Sequence, residues 1–333
     1  MKGRSMKQFK VGIDSYSLKP LGLDALGLLA WAGRNGAFGV QFSEVPNEAG
    51  DPGILREIGQ EALARGLYLE WGGGQHIPFD IQSGRPINIA ATNRKAAEEA
   101  AALGLHSIRS CSGGLMRWRP DDPPIDHYLA AMAASLRTQA PMFRDLGIVL
   151  AVETHFEFTT AEIRRLFDMC DAEPGDFLGV CLDTMNLLTL LEDPVSATRR
   201  VLPWVVTTHI KDGGILAPGE DFRTFTAETG AGIVDFARIF EDLSSLEQEI
   251  TLSIEDHGGD FAIPWGDPAF RAKFPDLDPA ELEHLRCLAR QTEKLMDSGS
   301  LAVLDRMEWP SVCEARVRRD IAAVRSMVES SIR

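Results

Sequence analysis

Short apolar runs recur along this chain, each too brief for an ordinary helix and each ending on polar residues. Runs at 9–14, 38–42, 67–71, 106–110, 147–153, 177–183, 204–209 and 250–255 are mostly continuous rather than alternating, the pattern of parallel strands buried on both faces. The intervening stretches change period. Leu23, Leu26, Leu29 and Ala30 mark a helix over 21–35, and further helices are predicted over 52–65, 88–103, 125–146, 160–171 and 234–243. Gly36, Gly66 and Gly104 stand where three of them must stop. Thr159 and Thr160 are placed to cap the helix at 160, with Glu162 in its first turn.

Strand starts recur roughly every 27 to 46 residues, eight times, which is the spacing of strand–helix units. Eight such units predict an α/β fold closed into a (β/α)8 TIM barrel. A polar loop is expected over 213–232. The region 258–278, with Phe261, Trp265 and Phe270, is too apolar for a simple solvated linker and is expected to be a loop that covers the barrel mouth or packs on a second subunit. Asp278-Pro279 opens a helix carrying Leu282, Leu285, Leu288 and Leu295. A last helix over 310–332 repeats Val317, Ile321, Val324 and Val328. The expected organisation is one domain, with a barrel over about 9–298 and a C-terminal helical extension over about 299–333.

The chemistry stands at the ends of four strands. Val152-Glu153, Leu182-Asp183, Thr208-His209 and Ile254-Glu255 each finish an apolar run on a residue able to bind a metal. Parallel strands of a closed sheet end on one face, so these residues can converge there, and so much negative charge in one place calls for a cation. Oxygen-rich ligands with a single imidazole favour Mn²⁺ or Mg²⁺, with Co²⁺, Zn²⁺ and Fe²⁺ as alternatives. His155 and Lys211 each lie two positions beyond a ligand and so face the same mouth. Either can act on a proton or polarise a substrate oxygen; His155 can instead orient a ligand, and Lys211 can pair with Asp256. Gly72-Gly73-Gly74 matches no phosphate-binding pattern and is expected to be a tight turn that projects His76 over the mouth. Arg109 is expected to pair with a buried acid or to contact a ligand.

Composition narrows the function. A net charge of −15 over 333 residues argues against a nucleic-acid partner and against anionic membranes. Cys111, Cys170, Cys181, Cys287 and Cys313 form no CxxC pair, no signal peptide is evident and no apolar run reaches membrane-spanning length, so a cytoplasmic protein is expected.

The motifs Val152-Glu153-Thr154-His155, Leu182-Asp183-Thr184-Met185-Asn186, Thr208-His209-Ile210-Lys211-Asp212, Gly230-Ala231-Gly232-Ile233-Val234-Asp235 and Ser253-Ile254-Glu255 resemble those of the xylose isomerase-like TIM barrel superfamily. That group includes sugar and sugar-phosphate isomerases and epimerases, inosose dehydratase and family-2 apurinic endonucleases. The resemblance implies that Glu153, Asp183, His209 and Glu255 bind one divalent metal ion, Mn²⁺ first, and that Glu153 and Glu255 double as the acid/base pair. Proton transfer next to a carbonyl through a metal-stabilised enediolate is the implied reaction. The expected substrate is a small carbohydrate, held by His76, Arg109, Asn186 and Trp265, with His155 and Lys211 joining the catalysis. A homo-oligomer is expected, a hetero-subunit being the alternative.

Two departures matter. Asn186 stands where many relatives carry His, and the extra endonuclease ligands are missing from Thr224-Phe225-Thr226-Ala227-Glu228-Thr229. The first of these leans toward the alternative reaction, a lyase or dehydratase acting on a keto-sugar, cyclic polyol or 3-keto-glycoside.

Overall fold

A computed structural model describes residues 9–43, 45–46, 50–80, 82–111, 117–119 and 122–331. Seven parallel strands come first: β1 (Phe9–Asp14), β2 (Gly39–Phe42), β3 (Tyr68–Gly74), β4 (Ser107–Ser110), β5 (Val149–Glu153), β6 (Leu178–Asp183) and β7 (Val205–Ile210). An antiparallel hairpin follows, β8 (Asp212–Leu216) and β9 (Phe222–Ala227). Then β10 (Ile250–Ile254) pairs with β7 on one side and β1 on the other and closes an eight-stranded barrel. Last, β11 (Asp260–Ile263) pairs with β9 to complete a separate three-stranded sheet.

Helices α1 (Ala25–Arg34), α2 (Pro52–Arg65), α3 (Ala90–Ala102), α4 (Ile125–Leu146), α5 (Thr160–Met169), α6 (Asn186–Thr189), α7 (Pro194–Val201) and α8 (Phe236–Leu243) alternate with the strands. Beyond β11 come α9 (Pro268–Arg271), α10 (Pro279–Asp297) and α11 (Trp309–Ser331). Thr159 caps α5 in a reciprocal box with Glu162, and Asp278 caps α10 ahead of Pro279. The helix expected over 21–35 starts later, at Ala25. Gly22 adopts a left-handed φ of 61°, and Asp24 accepts the Gly27 amide and starts the helix there.

Two stretches expected as loops are ordered sheet. The polar loop expected over 213–232 contains β8 and β9, and the aromatic loop expected over 258–278 contains β11 and α9. Phe222, Thr224 and Phe225 are buried there, so a half-buried antiparallel sheet forms although its turn residues dominate the sequence. Gly72-Gly73-Gly74 is likewise not a turn but the end of β3. A Cβ on Gly72 would run into the Phe42 and Ser43 carbonyls, and one on Gly74 would lie 2.9 Å from the Arg109 carbonyl oxygen, so glycine lets the neighbouring strands approach.

The barrel interior is filled unevenly. At its N-terminal end Tyr68 occupies the space left by Gly12 and Gly39, where any side chain would overlap its ring or hydroxyl. Above it sits a polar layer. The Glu70 carboxylate accepts from the Gln41 amide and Ser253 Oγ, each at 2.8 Å, and from Thr251 Oγ1 at 2.5 Å and Thr207 Oγ1.

The C-terminal helix is present as expected, but it is not peripheral. It packs against β1, β10, α8 and the 3-10 turn Ser15–Leu21, covering the seam between the first and last barrel strands. The helix before it, α10, lies on β8 of the small sheet. Among the described residues no helix is long and apolar enough to cross a membrane.

Candidate metal centre

Register brings the four strand-end residues together. Asp183 is the partner of His209 across β6 and β7, and His209 is the partner of Ser253 across β7 and β10, two positions before Glu255. Thr154 ties the ends of β5 and β6, its Oγ1 donating to the Asp183 carbonyl at 3.1 Å and accepting the Asp183 amide at 2.8 Å. As a result Glu153, Asp183, His209 and Glu255 each present one ligand atom within 4.8 Å of the others, all four residues being buried.

Two of the carboxylates are anchored by one oxygen, which leaves the other for the centre. Arg109 grips Glu153 Oε2 through Nη2 at 2.5 Å and Nε at 2.8 Å, leaving Oε1 3.3 Å from His209 Nδ1. The Met185 and Asn186 amides hold Asp183 Oδ1 at 3.0 and 2.9 Å, and Oδ2 faces inward. Glu255 Oε2 is 2.9 Å from His209 Nδ1. Yet Glu153 Oε1 and His209 Nδ1 are buried without hydrogen-bond geometry to any partner, and beyond the imidazole Glu255 Oε2 meets the Lys211 ammonium at 3.1 Å. Buried polar atoms left open toward one another fit a bound cation.

His209 is oriented from below. The Gln41 amide donates to Glu70 Oε2 at 2.8 Å and Thr207 Oγ1 at 3.0 Å, which fixes its Oε1 against His209 Nε2. An oxygen acceptor there places the ring proton on Nε2 and leaves Nδ1 to bind a metal. Asp14 Oδ2 lies 3.6 Å from the same Nε2.

The electrostatics match a site waiting for positive charge. Burial opposes ionisation of Glu153 and Glu255, but Arg109 and His209 outweigh it at Glu153, and Lys211 and His209 outweigh it at Glu255, so both carboxyls lie below their ordinary range. Burial wins at Asp183, pushing it up to about 6. Burial also lowers the His209 imidazole, but Cys181, Glu153 and Glu255 reverse this and raise it well above its ordinary value. A metal ion binding there must displace that proton.

Lys211 Nζ lies 3.0 Å from Asp183 Oδ2, 3.1 Å from Glu255 Oε2 and 3.4 Å from Asn186 Oδ1. The pairing with Asp256 is not formed; Asp256 instead meets Arg316 of α11 at 2.9 Å. His155 leans on the Glu157 carboxylate, Nδ1 to each oxygen at 3.0 Å, and its pKa is raised because Glu157 outweighs the effect of burial. His76 is buried rather than projected over the mouth, its Nδ1 2.7 Å from Ser110 Oγ and its Nε2 unpartnered. Burial lowers its pKa to about 4. A cavity of about 320 Å³ opens beside the centre, with Asn186, Lys211, Phe156 and Phe261 in its wall. Trp265 is not in that wall; its ring packs on Phe274, with centroids 5.9 Å apart.

Residues 29–286 match the family model described as xylose isomerase-like TIM barrel. The chain belongs to the xylose isomerase-like TIM barrel family. A similar curated relative is the 3-oxo-isoapionate decarboxylase of Pectobacterium atrosepticum, 25% identical over 280 residues that cover 77% of this chain and 86% of the relative. Similar solved structures include D-psicose 3-epimerase from Clostridium cellulolyticum H10 with D-tagatose, at 16% identity and a TM-score of 0.57, covering 86% of this chain and 98% of that one. The probable 3-DHS dehydratase of Bacillus anthracis aligns at 17% identity with a TM-score of 0.57, covering 83% and 98%. These solved structures share the fold with this chain.

Gln41, Glu70, Asp14 and Glu157 escaped the sequence reading. Glu70 did leave a signal, a lone acid inside the apolar run Leu69-Glu70-Trp71.

Proposed function

We propose that the protein is a divalent-metal-dependent sugar isomerase or epimerase that moves a proton on a carbon next to a carbonyl. The observation that carries this reading is the convergence of Glu153, Asp183, His209 and Glu255, each with a ligand atom within 4.8 Å of the others, with Glu153 Oε1 and His209 Nδ1 left without a hydrogen bond. Glu153, Asp183, His209 and Glu255 would hold the ion, which we take to be Mn²⁺. Bound there, it supplies a Lewis acid that polarises the carbonyl and steadies negative charge on its oxygen.

The rest falls to side chains of this chain. Glu255 takes or returns a proton on one side of the reacting carbon and Glu153 on the other. Arg109 keeps Glu153 Oε2 fixed, so only Oε1 faces the reacting carbon. Lys211, charged and already between Asp183 and Glu255, donates to a substrate oxygen, as does Asn186 through its free Nδ2. His155, steadied by Glu157, and the open Nε2 of His76 supply further contacts to hydroxyls.

One observation favours a lyase as the second reading. The decarboxylase relative is matched over 86% of its length, and loss of CO₂ from a 3-oxo acid develops the same charge on a carbonyl oxygen as proton removal does. Incubating the Mn²⁺-loaded protein with a panel of ketoses and 3-oxo sugar acids in D₂O separates the two. Deuterium in a rearranged sugar supports the isomerase, whereas release of CO₂, water or an aglycone supports the lyase. A metal-loaded protein that does neither refutes both.

A further inference from the structure

The cavity beside the metal centre extends outward, and the segment between α10 and α11 forms its outer wall through Val303, Asp305 and Arg306. That segment is seated on the loop after β10. The Gly259 amide donates to the Leu304 carbonyl at 2.8 Å, and Gly258 and Gly259 take φ values of 66° and 93°. A Cβ on Gly259 would lie 3.3 Å from Arg306 Cβ, so glycine there lets the segment approach. Arg306 therefore rests on backbone only three to four positions beyond Glu255.

Of the three Lys and Arg side chains in the cavity wall, two have carboxylate partners. Lys211 pairs with Asp183 and Glu255, and Arg223 Nε meets Asp260 Oδ2 at 2.7 Å. Asp305 Oδ1 accepts the Met307 amide at 2.8 Å, capping the short turn Arg306–Glu308. Arg306 donates only to the neutral Tyr16 hydroxyl, at 2.6 Å, and among the described residues it forms no ion pair. Two further atoms in the wall are buried and unpartnered, Asn186 Nδ2 near the metal centre and Thr226 Oγ1. One end thus offers a metal centre, the middle offers open hydrogen-bonding groups, and the outer end offers a guanidinium without a counter-ion.

We propose that the substrate is a sugar with an anionic terminal group, carboxylate or phosphate, bound by Arg306 at the end of the cavity away from the metal. Asn186 Nδ2 and Thr226 Oγ1 hold hydroxyls between the two ends. Tyr16 fixes one edge of the guanidinium and leaves its other donors for a two-point contact with the anion. This deepens the proposed function and rests on the metal centre assigned there.

Three sugars of similar frame test it on the Mn²⁺-loaded protein by calorimetric titration: D-fructose, D-fructuronate and D-fructose 6-phosphate. An anionic sugar is expected to bind about tenfold tighter than D-fructose, the size of one good charge-assisted contact. The better of the two anions identifies the group. Arg306→Ala, a change at an exposed position, is expected to erase the preference, bringing both anionic sugars to the affinity of D-fructose, and Arg306→Lys to keep part of it. Equal affinity for all three sugars, or a preference that survives Arg306→Ala, overturns the proposal. Mn²⁺-dependent binding of D-fructose upholds the metal centre in either case, and failure of every sugar to bind overturns both.

Discussion

Replacing Gln41 by Leu tests whether His209 is a metal ligand set from below. The change keeps the volume of the side chain but removes the oxygen that accepts from His209 Nε2 and the amide that donates to Glu70 and Thr207. Without that acceptor the imidazole is free to exchange tautomers and to tilt, and Asp14, 3.6 Å away, is too distant to take over in place. Loss of a partner of this kind costs about 10- to 100-fold in metal affinity, equivalent to about 1.4 to 2.7 kcal/mol. Leaving the His209 and Glu70 groups unpaired adds a stability cost of about 1–3 kcal/mol each, so the comparison belongs at low temperature with folding checked by near-UV circular dichroism. The assay is calorimetric titration of Mn²⁺ into metal-free wild-type, Gln41→Leu and His209→Ala proteins. His209→Ala should bind weakest and Gln41→Leu in between. A Gln41→Leu affinity within about twofold of wild type would falsify the relay.

Other consequences are simpler to measure. Mn²⁺ at about a thousandfold over its Kd should add about 4 kcal/mol, a rise in Tm of about 6 °C for a chain of this length, absent in Asp183→Asn/Glu255→Gln. Lys211→Met should destabilise the metal-free protein by about 3–5 kcal/mol, since Asp183 and Glu255 lose their buried cation, and the Tm gain on adding Mn²⁺ should exceed that of wild type; an equal or smaller gain refutes this. Asp320 is raised to about 7 by burial and by Asp256, so its contribution is complete below about pH 4 and is lost as the pH rises through 7. Asp320→Asn should therefore gain on wild type in urea midpoint between pH 5 and pH 8, and parallel curves would count against the assignment. Gly12→Ala should cost about 1–3 kcal/mol, because the added methyl overlaps Tyr68 and the Gly39 carbonyl.

The barrel and the four strand-end residues that cluster at its mouth were legible because each depended on a local pattern: a buried strand is a short apolar run, and its end is where the run breaks. Glu153, Asp183, His209 and Glu255 stood at such breaks. Gln41 and Glu70 did not, since they sit inside strands and point into the barrel beneath the candidate metal centre, where only register decides what they touch. The small sheet was missed for a different reason. Its strands are joined by the polar turn Pro218-Gly219-Glu220-Asp221, and its pairing with β11 spans residues too far apart for any local pattern to reveal. Arg306 was invisible for the same cause, lying about 50 positions from the loop that carries it.

The seam under α11 also says something about how this chain is made. Trp309 Nε1 donates to the Ser17 carbonyl 292 positions earlier, and Arg325 to the Gly36 carbonyl 289 positions earlier. On the ribosome the first strand must wait, its outer face bare, until about 300 further residues have emerged, since Val317, Ile321 and Val324 lie that far along the chain. Shortening the chain ahead of Trp309 would not trim an appendage; it would leave nascent β1 permanently without its cover and make the product a target for chaperones and proteases.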